Sequence, residues 1–72
     1  MLSRAVAERI VEAVLLQQKQ LRELANDVEE DAPEDESKAF IRGIGYVLGA
    51  MEIDLLWKIY EIYPDLRPDS AD

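Results

Sequence analysis

A chain of 72 residues and 8.2 kDa holds one domain at most, and at that size a single core supplies only about 3–5 kcal/mol without reinforcement. The absence of Cys and His removes disulfides and a zinc site as reinforcement, which leaves association with other chains. A formal charge of −8 and a pI near 4.3 disfavour nucleic acid and anionic lipid and suit a basic partner, while 49% hydrophobic and 33% charged residues describe amphipathic helices rather than a disordered chain.

At the N-terminus, Glu8, Arg9 and Glu12 fall where a signal peptide needs an uncharged apolar run, so no secretion signal is read and a cytoplasmic location is expected. The first helix is predicted from about residue 3, with Ser3 as N-cap, to about residue 29, because no Gly or Pro interrupts it. Ala7, Ile10, Val14, Gln17, Leu21, Leu24 and Val28 recur at alternating spacings of three and four, the seam of a left-handed helix pair. Gln17 is its one polar member, of the kind that fixes register or oligomeric state. Val11, Leu15 and Leu16 flank this seam and widen the apolar surface toward a second neighbour.

An acidic turn is predicted at about 30–33, closing an antiparallel hairpin. Pro33 suits the first turn of a second helix, and Glu34, Asp35 and Glu36 suit the positive end of its dipole. Glu29 and Glu30 sit at the wrong end of the first helix, which is therefore expected to fray. Together Glu29, Glu30, Asp31, Glu34, Asp35 and Glu36 form a candidate docking site for a basic protein. They lack the ligand spacing and central Gly of a calcium loop, so no metal site is assigned.

The second helix is predicted from about 33 to 63, stopped by Pro64. Its stretch from Gly43 to Ile62 is long enough to span a bilayer, but Glu52, Asp54 and Lys58 interrupt it, so no membrane partner is expected. Phe40, Ile41, Ile44, Val47, Leu48, Met51, Leu55, Ile59 and Ile62 share one face, the expected partner of the first helix. A second stripe, Tyr46, Ala50, Ile53, Trp57 and Tyr60, projects from the other side. A lone hairpin leaves that stripe in water, so together with Val11, Leu15 and Leu16 it is the predicted oligomer interface. Gly45 and Gly49, four residues apart, are expected to permit close helix packing. Residues 1–64 thus form the helical hairpin, and 65–72, without periodicity, a flexible C-terminal tail onto whose helix end Leu66 is placed to tuck.

No catalytic set is expected: the only Ser residues are Ser3, Ser37 and Ser70, there is no His to act as base, and no cofactor motif is present. Arg4, Arg9, Lys19, Arg22, Lys38, Arg42, Lys58 and Arg67 are dispersed among twice as many acids, so nucleic acid is not an expected partner. The sequence therefore points to an all-α, antiparallel two-helix hairpin that dimerises into a four-helix bundle, with a tetramer as the other assembly, acting as a non-catalytic interaction module. The alternative is an acidic, antitoxin-like inhibitor that occupies the site of a basic nucleic-acid-binding protein.

Overall fold

The computed structural model describes residues 1–68 and, among them, contains helices only. Helix α1 spans Arg4–Asp31. Helix α2 spans Glu34–Ala50 and runs without a break into a π-helical segment, Met51–Leu56, and a last helix, α3, Trp57–Ile62. A 3-10 turn, Pro64–Leu66, follows. The result is an antiparallel helical hairpin about 45 Å long.

Local chemistry accounts for the ends. The Ser3 hydroxyl accepts from the Val6 N–H at 3.2 Å, the predicted N-cap. Helix α1 runs past the predicted end at residue 29 to Asp31, where the Ala32 N–H donates to the Val28 carbonyl at 3.0 Å. The turn is only Ala32 and Pro33, and the extended Pro33 opens α2 by accepting the Ser37 N–H at 2.9 Å. Glu34, Asp35 and Glu36 occupy the first turn of α2, where acids favour the dipole.

The seam differs from the predicted one. Ala7, Val11, Val14 and Gln18 are the buried residues of α1, and the half-buried Leu21, Ala25 and Val28 extend the same alternation of fours and threes. Gln18, not Gln17, is the polar member: its amide donates to the Glu52 carboxylate at 3.1 Å, so the helix pair carries a satisfied polar contact. Gln17 and Leu24 are exposed.

On the second strand of the hairpin, meaning the continuous helical run of residues 34–62, the seam runs through Ser37, Ile41, Ile44 and Leu48 and then changes register at the π segment. A regular heptad continuing from Leu48 and Met51 would bring Leu55, Lys58 and Ile62 inward, placing a lysine between the helices. One extra residue in the π turn instead delivers Leu56, Ile59 and Tyr63. Leu56 is 1% exposed and Ile59 is buried, whereas Leu55, Lys58 and Ile62 face out. The predicted single face therefore splits, and Phe40, Val47, Leu55 and Ile62 prove exposed.

The buried apolar residues, Ala7, Val11, Val14, Leu56 and Ile59, all lie in the half of the hairpin that carries the termini. Toward the turn, Leu21, Val28, Ile41, Ile44 and Leu48 are only half-buried. Among the described residues no helix is long and apolar enough to cross a membrane.

The start of the predicted tail is docked. Leu66 packs against the core, the Tyr63 hydroxyl donates to the Leu2 carbonyl at 2.8 Å, and Arg4 hydrogen-bonds and pairs with Asp65 while lying over the Tyr63 ring. Residues 69–72 of that predicted tail lie outside the described residues. The Arg4 hydrogen bond holds the Asp65 carboxyl below its ordinary value of 3.8. A depressed carboxyl stabilises the folded form above its ordinary pKa, and that contribution disappears as pH falls through the lowered value. Because both partners are exposed, the effect is small and screened by salt. An NMR titration should therefore show the Tyr63 ring signals moving together with the Asp65 carboxyl below pH 3.8, a coupling that Arg4→Ala abolishes; independent movement of the two would mean the ion pair does not hold the turn.

Candidate functional site

The predicted interface residues do not form one surface. Val11 belongs to the buried seam, and Leu15 and Tyr60 pack against it; these three serve the hairpin itself, because the π segment and the Val11–Gln18 register turn them inward. Tyr46 is 74% exposed, and Ala50, Ile53, Trp57 and Leu16 are exposed as well. The change of helical phase between residues 51 and 56 separates Trp57 from the line of Tyr46 and Ala50. Trp57 joins Tyr60, Glu61 and Arg67 around a small pocket instead.

The glycines do not mediate close packing within the hairpin. A Cβ built at Gly43, Gly45 or Gly49 meets no atom within 4 Å, because the second strand of the hairpin turns these positions away from α1. Each costs helix propensity without a packing return inside the chain. Gly45→Ala should therefore raise thermal stability by about 0.5–1 kcal/mol, measured by circular dichroism. Destabilisation by that substitution would mean something packs on Gly45 in solution.

What the structure brings together, and the periodicity alone did not, is an apolar flank. Gln17, Gln20 and Leu21 of α1 and Val47 and Met51 of the second strand line one shallow depression at mid-length. At 100° per residue, Val6, Ile10, Leu24 and Val28 continue the flank along α1, and Phe40, Leu55 and Ile62 continue it along the other strand. Phe40 is 65% exposed, and Val6, Leu24, Val47, Leu55 and Ile62 are all exposed too. Lys58, between Leu55 and Ile62 on the same outward line, is the one charged residue at its border. The opposite flank differs, since Gln18, Arg22, Glu52 and Arg67 line the depression there. The signal that could have exposed the apolar flank in the sequence is Lys58, whose charge forbids the regular seam and so releases Leu55 and Ile62 to the outside.

The acidic residues Glu29, Glu30, Asp31, Glu34, Asp35 and Glu36 all remain exposed around the turn. Glu34 meets Lys38 at 3.4 Å. Among the described residues no three His, Cys, Asp or Glu side chains are grouped to hold a metal ion, and no buried side-chain nitrogen or oxygen lacks a hydrogen-bond partner. Comparison with protein-family models, curated proteins and solved structures finds no match to this chain.

Proposed function

We propose that this chain is a self-associating helical interaction module that works without catalysis, two hairpins stacking through their apolar flanks into a four-helix bundle. The observation that carries the reading is the apolar flank running from Val6 and Ile62 at one end to Val28 and Phe40 at the other, with Lys58 as its only charged neighbour on the Leu55–Ile62 line. An apolar surface of that length marks an interface in a small protein. Burial is also concentrated at one end, so the turn half of the hairpin gains most from a second layer. From Val6 to Val28 the flank runs about 33 Å at 1.5 Å per residue, and across a body about 21 Å wide it offers on the order of 700 Å² per partner, toward the lower end of standard stable interfaces. Such an assembly would act as a small adaptor, assembly factor or regulator, its acidic ends remaining available to other proteins.

Light scattering over a concentration series, with circular dichroism on the same samples, tests the reading. A helical species of twice 8.2 kDa that dissociates on dilution is expected. A fully helical, equally stable single chain at every concentration would remove self-association and leave the flank as a groove for another protein's helix.

A further inference from the structure

From the distribution of polar groups on the flank we infer how the second copy sits: the two hairpins are related by a two-fold axis that crosses the helices at Gln17 and Met51. In this arrangement α1 packs antiparallel on α1 of the partner, and the second strand on its own copy. The inference rests on the self-association reading and specifies its geometry.

Three observations select this axis. Gln17 stands midway between Val6 and Val28, and Met51 midway between Phe40 and Ile62, while the two line the same depression at the centre of the flank. The crossing axis therefore superimposes an apolar end of each flank on the other apolar end of its copy, with no overhang.

The second observation is the chemistry of Gln17. An amide carries both donors and an acceptor, so two Gln17 side chains facing each other across the axis satisfy one another. In the alternative, with the axis parallel to the helices, Gln17 lies over Met51 of the partner and loses its water without gaining a partner, which a buried amide tolerates poorly. A single polar residue in an apolar seam is a well-attested device for fixing register and orientation.

The third is charge. Glu29, Glu30, Asp31, Glu34, Asp35 and Glu36 crowd the turn end of each hairpin, whereas the other end is mixed, with Arg4, Arg9, Lys58 and Arg67 among Glu8, Glu12, Glu61 and Asp65. The parallel axis sets two acidic turns side by side. The crossing axis places them at opposite ends of a body about 45 Å long, beyond several Debye lengths of about 8 Å at physiological salt, and sets each acidic turn against the mixed-charge end of its partner.

The chain has no Cys, so single cysteines report the geometry cleanly. Under mild oxidation Met51→Cys is expected to convert most of the chain to a disulfide-linked dimer. A mixture of Phe40→Cys and Ile62→Cys is expected to give the mixed dimer, with Phe40→Cys alone giving none. If the protein is dimeric by light scattering but Phe40→Cys links instead to Val28→Cys, or Met51→Cys stays unlinked, the crossing axis is wrong while self-association stands. A single-chain mass for the unmodified protein would end both. Circular dichroism on each variant confirms folding, and Gln17→Leu gives an independent readout: the dimer persists, but the yield of the Met51→Cys link falls several-fold as the alternative stacking becomes populated.

Discussion

Leu56→Ala should bring the hairpin to the edge of unfolding, whereas Lys58→Ala, two residues away, should leave stability within about 0.5 kcal/mol. Leu56 is the largest side chain that is fully buried, in contact with the cluster of Ala7, Val11, Val14 and Ile59. A buried Leu→Ala change costs about 2–5 kcal/mol through lost transfer energy and the cavity left behind. A chain of this size has about 3–5 kcal/mol in its own core, so the loss consumes most of it. Lys58 is exposed because the π segment rotates it away from α1. Urea unfolding followed by circular dichroism separates the two registers. A regular α-helix through residues 51–56 would instead bury Lys58, and Lys58→Ala would then stabilise by more than about 1 kcal/mol through removal of a buried charge, with Leu56→Ala close to neutral.

Val47→Asp should reduce the proposed dimer to single chains at micromolar concentration, while Trp57→Asp should leave it assembled. Val47 lines the central depression of the flank, where a second hairpin stacked as proposed would enclose it. An unpaired carboxylate buried there costs about 3–5 kcal/mol per site, which is more than a hundredfold in the dissociation constant. Both subunits carry the change, so the effect is felt twice in one interface. Trp57 lies away from the flank, half exposed beside Tyr60, Glu61 and Arg67, and an acid there stays in water. Light scattering on both variants decides between surfaces: dissociation by Trp57→Asp with Val47→Asp still dimeric would assign the interface to the stripe of Tyr46, Ala50, Ile53 and Trp57. Because a small subunit can lose its fold together with its partner, loss of helicity by Val47→Asp on dilution accords with the flank as the interface.

The two surfaces have different origins in the chain. Tyr46 and Ala50 were legible as outward residues from their spacing alone, since α2 is regular there and its inner positions, Ile41, Ile44 and Leu48, were legible too. The flank was not legible, because its members satisfy the same heptad as a seam. Ile10, Gln17 and Leu24 repeat as faithfully as Val11, Gln18 and Ala25 do, and a period of 3.5 cannot choose between two apolar lines one residue apart. The choice falls to what lies opposite. Gln18 goes inward because Glu52 receives its amide, and Gln17, lacking such a partner on the second strand, goes out.

The sequence by itself determined the hairpin: an uninterrupted first helix capped by Ser3, a turn ahead of Pro33, a second helix stopped before Pro64, and a chain without Cys or His; the structure narrowed the turn from residues 30–33 to Ala32 and Pro33. These follow from local chemistry, in which a cap, a ring or a missing thiol acts within a few residues. Tertiary structure decided which apolar line became the core and which the exposed flank. That outcome depends on one added residue between Met51 and Leu56, which keeps Lys58 in water and seats Leu56 and Ile59 against Val11 and Val14. A helix turn wider by one residue costs little locally, whereas a lysine between two helices costs several kcal/mol, and only the packed pair brings the two quantities into competition.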